Sequence, residues 1–125
     1  MPPSSAAHPT AGPDTDAAIL EAVRRTWGFD ALRPLQGEAI RAVLDGRDSL
    51  VVMPTGGGKS LCYQAPPLIT GRMTLVVSPL ISLMKDQVDG LRLSGYPAAA
   101  LHSGLTPDEQ REVRAEALEG RLTLL

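Results

Sequence analysis

The sequence predicts an α/β fold in which a parallel sheet is flanked by helices. Two observations predict it. Short, continuous apolar runs alternate with segments of helical periodicity. Those runs lack the in-out alternation of a one-sided sheet, so they read as strands buried on both faces.

Taken in order, residues 1–14 hold Pro2, Pro3, Ser4, Ser5, Pro9, Gly12 and Pro13 and are expected to form a disordered tail. A first helix is expected from Asp14 or Thr15, with Ile19, Leu20 and Val23 on one face and Gly28 as its stop. A second is expected from Pro34 to Gly46, with Ile40, Val43 and Leu44 on one face. Ser49–Met53 reads as a buried strand, Pro54–Gly58 as a glycine-rich loop, and a helix from Lys59 is broken by Pro66 and Pro67. Thr74–Ser78 reads as a strand, Leu80–Leu93 as a helix, and Ala98–Leu101 as a weaker strand. Pro107–Glu119 reads as a helix capped by Thr106 and stopped by Gly120, and Leu122–Leu125 as the start of a further strand. Asp108, Glu109, Arg111, Glu112, Arg114 and Glu116 give that helix a solvated face. An apolar run at the last residue suggests a chain cut inside its sheet, with an exposed edge and marginal stability.

Composition excludes several classes. The 125 residues suffice for one small domain. The net charge of -2 gives no global signal for nucleic acid, so any DNA contact must come from particular loops. Cys62 is the single cysteine, which rules out an internal disulfide and a zinc cluster and suits a reducing cytosol. No apolar run approaches membrane-spanning length and the N-terminus lacks a signal-peptide pattern, so a soluble cytoplasmic protein without a membrane partner is expected.

The strongest motif is Met53-Pro54-Thr55-Gly56-Gly57-Gly58-Lys59-Ser60, between an expected strand and an expected helix. Glycines let successive backbone N–H groups face a phosphate. Lys59 would place its ammonium on the β- and γ-phosphates of ATP, and the Ser60 hydroxyl would ligate Mg²⁺. Met53 stands where this pattern usually opens with Gly.

Three stretches resemble the RecQ family of DNA helicases: Trp27-Gly28-Phe29 with Leu32-Arg33-Pro34 and Gln36; the string from Val51 to Gln64; and the string from Val76 to Val88, which contains Ser78-Pro79-Leu80. The resemblance implies a P-loop, RecA-like domain and ATP-driven 3′-to-5′ unwinding in DNA repair and recombination. It implies that Phe29 and Arg33 stack on adenine and that Gln36 reads its edge, while Pro54, Thr55, Gly56, Gly57, Gly58, Lys59 and Ser60 hold the phosphates and Mg²⁺. Ser78 and Pro79 would touch single-stranded or duplex DNA, with His102 and Ser103 as weaker contacts. Leu32 departs from the family, which usually has an aromatic there. Trp27 is expected to cover the core, and Cys62 to be a small buried hydrophobe.

The family's Asp-Glu-Ala-His motif does not occur in the chain. The one Asp-Glu pair, Asp108-Glu109, opens a helix and does not follow a strand. Residues 15–125 thus read as the N-terminal part of an ATP-binding domain ending before that motif, without the second motor domain or the family's zinc module. The full-length protein is expected to be a cytoplasmic, nucleoid-associated helicase. This chain alone is expected to bind ATP without turning it over. Two alternatives stand beside it: another P-loop enzyme, which leaves Gln36 and the Ser78 string unexplained, and a short non-catalytic protein that binds nucleotide or DNA. Oligomeric state is left open.

Overall fold

The computed structural model describes residues 13–54 and 58–125. The expected tail therefore lies outside the described residues up to position 12, while Pro13 and Asp14, read as its end, already belong to a helix. The chain divides into two compact units, residues 1–70 and 71–125.

The first unit is helical. Helix α1 spans Pro13–Trp27, α2 Gln36–Leu44, α3 Leu61–Gln64 and α4 Pro66–Thr70. α1 packs on α2 and α4, and α2 on α3 and α4. The core is Ile19 and Val23 from α1, Ile40 from α2, Leu61 from α3, and Ala65, with Trp27, Leu32 and Leu44 packed around it. Ile19, Val23, Ile40 and Leu44 match the apolar faces read from the sequence, whereas Val43, expected on the same face, is 47% exposed. Gly28 adopts a left-handed conformation and its N–H donates to the Arg24 carbonyl, closing α1. Pro66 and Pro67 open α4, where a missing N–H is tolerated, so the break expected at these prolines separates α3 from α4.

Two expectations are corrected here. Pro34 does not start α2. Instead Arg33-Pro34-Leu35-Gln36 form a β-turn, with the Gln36 N–H donating to the Arg33 carbonyl at 3.1 Å. Leu35 sits at φ 71°, ψ -17°, the geometry of the third residue of a type II turn. Glycine usually fills that position, and a leucine there costs about 1–2 kcal/mol. Ser49–Met53 is the second correction: it forms no strand, with Leu50 91% and Val52 78% exposed. β-branched residues favour extended backbone, but a strand also needs partners for its N–H and C=O groups, and none lies alongside this run among the described residues.

The second unit holds helices α5, Ile81–Leu93, and α6, Pro107–Leu118. Both end in the same way. Gly95 and Gly120 turn left-handed, and the residue after each, Tyr96 and Arg121, donates back to Leu91 and Glu116. α6 begins with the capping box expected from Thr106: Thr106 Oγ1 accepts from the Glu109 N–H, and Glu109 Oε1 accepts from the Thr106 N–H. Between the helices run three parallel segments. Leu124 bridges Thr74 on one side and Ala98 on the other. Among the described residues the expected sheet is reduced to these two isolated bridges; no full-length strand forms. Leu124, Leu122, Ala98, Ala99, Tyr96, Val88 and Leu91 are buried around this nucleus. Burial holds the Tyr96 phenol well above the usual tyrosine range.

Candidate nucleotide site and strand-end loops

The residues expected to meet a nucleotide all lie in the first unit. Gln36, 4% exposed, is the hinge of the arrangement. Its Oε1 accepts from the Arg33 N–H at 2.6 Å, and its Nε2 donates to the Gly58 carbonyl at 3.0 Å. One carboxamide thus ties the Arg33 turn to the phosphate loop across 22 residues of sequence. A primary amide has two N–H groups and two lone pairs. Among the described residues one of each is engaged, which leaves one of each for an adenine edge.

Gly58 is required on two grounds. Its φ is +81°, and a Cβ placed there would collide with Gln36 Nε2. The stem of Arg33 also packs over it, with Cδ 3.4 Å from where a Cβ would stand. The glycine is therefore a close-approach position, the kind of cradle that a phosphate loop needs.

Lys59 follows, exposed, and enters no ion pair among the described residues. Ser60 stands at the N-cap of α3, yet its hydroxyl makes no capping hydrogen bond. Among the described residues the Lys59 ammonium enters no ion pair and the Ser60 hydroxyl no capping bond, and such groups beside a tight glycine fit the demands of a phosphate with its Mg²⁺. The helix opened by the loop is a single turn, so the dipole of a long helix plays no part. Thr55, Gly56 and Gly57 lie outside the described residues; Pro54 is exposed. Phe29 is 51% exposed, so it is no core residue and its ring is open to a ligand. Trp27 packs against the core, as expected. Burial pushes the Cys62 thiol up, as for a small apolar side chain.

Leu35 is the residue that sequence reading missed. The signal is in the sequence: proline favours the second position of a type II turn as well as the first turn of a helix.

The strand-end candidates lie in the second unit. Ser78 and His102 each follow a bridged residue, Thr74 and Ala98, by four positions. The segments run parallel, so both loops leave the same edge of the nucleus, where open parallel sheets carry ligand loops. Ser78 Oγ accepts from the Leu80 N–H at 3.3 Å, turning the chain into α5. Pro79 and Ser103 are exposed. His102 Nδ1 accepts from the Gly104 N–H at 3.0 Å. His102 also borders a groove of about 630 Å³ between α5 and α6 whose lining includes Glu109, Glu112 and Glu116. Those carboxylates disfavour a DNA phosphate beside His102.

The family model for the DEAD/DEAH box helicase matches residues 33–124, from the Arg33 turn to the buried Leu124. The chain belongs to the DEAD/DEAH box helicases. Its relatives place it in the RecQ group of that family. It is 52% identical over 108 residues to the ATP-dependent DNA helicase RecQ of Synechocystis sp., covering 86% of this chain and 23% of the relative. It is 49% identical over 106 residues to the protein of the same name from Haemophilus influenzae, covering 85% and 17%. ATP-dependent DNA helicase Q4 of Mus musculus is 48% identical over 104 residues, covering 80% and 8%. The chain therefore spans less than a quarter of each of these relatives. Family membership carries a P-loop, RecA-like fold with it. No helix among the described residues is long and apolar enough to cross a membrane.

Proposed function

We propose that this chain is the nucleotide-binding part of an ATP-dependent DNA helicase of RecQ type, with residues 15–125 forming part of the ATP-binding domain. In the whole protein ATP hydrolysis would drive 3′-to-5′ strand separation in DNA repair and recombination, in the cytoplasm at the nucleoid. The relatives' names supply the activity. The supporting observation in this chain is the Gln36 bridge, which joins the adenine candidates to the phosphate loop in one body.

Each residue has a task. Phe29 offers its exposed ring to the adenine face, with Arg33 opposite. Gln36 uses its remaining N–H and lone pair on the adenine edge. Thr55 to Gly58 line the phosphates with backbone N–H groups, Pro54 leads the chain into that loop, and Lys59 sets an ammonium against them. The Ser60 hydroxyl holds Mg²⁺, which, when bound, neutralises phosphate charge. The Ser78-Pro79 loop is the first DNA contact; His102 and Ser103 come second because of the nearby Glu109 charge. The completed domain would extend the two bridges into a parallel sheet flanked by the helices.

The chain holds no Asp-Glu-Ala-His sequence to position Mg²⁺ and water. Binding without turnover is the expected behaviour of these 125 residues by themselves. A fluorescent ATP analogue titrated into the full chain tests this. Saturable, Mg²⁺-dependent binding that Lys59→Ala weakens by about tenfold or more supports the reading. Equal affinity in both proteins contradicts the phosphate role of Lys59. Steady phosphate release that the same substitution abolishes contradicts the absence of turnover.

A further inference from the structure

The sole positive-φ residue other than glycine among the described residues is Leu35, and it stands immediately before the residue that bridges the site. That adjacency carries a consequence. Arg33 and Gln36 are joined twice: the Gln36 N–H donates to the Arg33 carbonyl, and the Arg33 N–H donates to Gln36 Oε1. Both bonds exist only if the intervening pair turns the chain back on itself. Pro34 pre-sets its own φ for such a turn, but the third position must go left-handed, and Leu35 does so at φ 71°. If residue 35 relaxed to an ordinary negative φ, Gln36 would leave the turn. Its Nε2 would then no longer meet the Gly58 carbonyl.

The Leu35 side chain does not explain the strain. It is half exposed at the rim of a groove of about 560 Å³, with Leu50 and Val52 beside it. Polar or smaller side chains could occupy that rim. What residue 35 supplies is a backbone conformation.

We propose that Leu35 is a positioning residue: its left-handed backbone aims the Gln36 carboxamide at the Gly58 carbonyl and so sets both adenine selectivity and phosphate-loop geometry. This rests on the reading of Gln36 and Gly58 as parts of a nucleotide site. It predicts that tolerance at position 35 follows the ease of adopting a left-handed φ and not apolar character. Glycine and asparagine adopt it readily, alanine with a penalty, and isoleucine with a larger one.

The test is calorimetric titration of ATP and GTP into the full chain, carried out on the parent and on Leu35→Gly, Leu35→Asn, Leu35→Ala and Leu35→Ile, with Gln36→Ala as control. Circular dichroism reports folding of each variant. Expected is ATP affinity within about twofold of the parent for Gly and Asn. Ala should lose a few-fold and Ile about tenfold, with the preference for ATP over GTP shrinking in step. A merely structural residue would lower both affinities together and leave that preference unchanged. If Ile fails to fold, the order Gly and Asn above Ala still decides the matter. Retained affinity and preference in both Ala and Ile would overturn the proposal, as would loss in Asn equal to that in Ile. If Gln36→Ala leaves both nucleotides unaffected, the nucleotide-site reading itself fails. If Gln36→Ala loses ATP while the Leu35 series stays flat, only the positioning role fails.

Discussion

Ser49–Met53 in the first unit and Pro97–Ala99 in the second reverse what residue preference alone suggests. The former, Ser-Leu-Val-Val-Met, has strong β-propensity, yet it pairs with nothing among the described residues and leaves Leu50 and Val52 in solvent. The latter, Pro-Ala-Ala, has poor β-propensity, yet it sits against Thr123–Leu125 with three hydrogen bonds: Thr123 and Leu124 donate to the Pro97 carbonyl, and Ala99 donates to the Leu124 carbonyl. The difference teaches that a strand is a property of neighbours. Small residues suffice where a partner lies alongside, and Ala98 and Ala99 are almost wholly buried there. Branched apolar residues do not suffice where no partner lies alongside.

The two units also differ in what their polar bonds do. In the first, the Gln36 bridge ties distant segments around a candidate ligand site. In the second, the capping box of α6 and the Ser78 turn stay local and shape helix starts.

The largest effect is expected at the centre of the sheet nucleus. Leu124 is 4% exposed and lies between both bridges. Leu124→Ala should cost the second unit about 3 kcal/mol. Hydrogen exchange at the Thr74, Val76 and Ala99 amides measures this, since each donates across the nucleus. Unchanged protection there would show that the helices alone hold the unit and would erase the contrast with Ser49–Met53.

Next comes Gly58→Ala. It combines a φ of +81° with a collision against Gln36 Nε2. A destabilisation of the first unit by about 1–3 kcal/mol is expected, together with weaker nucleotide binding. Trp27 is the one tryptophan of the chain and packs on the core of that unit, so its emission during urea unfolding reports the change. A neutral result would mean that Gln36 swings aside freely, making the bridge a local bond like those of the second unit.

The smallest effect belongs to the α6 cap. Thr106→Ala should cost about 1 kcal/mol, read from hydrogen exchange along α6. A pH dependence accompanies it. Hydrogen bonds from the Thr106 backbone and side chain lower the Glu109 pKa from its ordinary 4.5. A carboxylate depressed in the folded state stabilises above its unfolded pKa and loses that contribution as pH falls through the folded value. α6 should therefore fray as the pH drops below about 4.5, and Thr106→Ala, which keeps the backbone donor to Glu109 and removes only the side-chain one, should lessen that dependence. An unaltered acid profile in the variant would remove the box from the account of α6.

Much of the fold was legible because it depends on local chemistry. Helix stops at Gly28, Gly46, Gly95 and Gly120 follow from the residue that tolerates a left-handed φ. The Thr106 cap follows from a hydroxyl and a glutamate three residues apart. Ile19, Val23 and Ile40 were legible as core from periodicity. The glycine-lysine-serine string was legible because the chemistry of a phosphate leaves few alternatives.

Other features depended on segments meeting. Pro34 suits both a helix start and a turn, and only the return of Gln36 Oε1 to the Arg33 N–H selects the turn. The left-handed Leu35 follows from that selection. That Gln36 reaches the Gly58 carbonyl is invisible in a sequence where the two stand 22 residues apart. By itself the sequence determined where helices stop, which faces are apolar and where phosphate chemistry sits, since each is decided within a few bonds or one helical turn. Tertiary structure alone decided which apolar runs pair and which carboxamide joins turn to loop. Those outcomes rest on backbone and side-chain polar groups finding partners far along the chain.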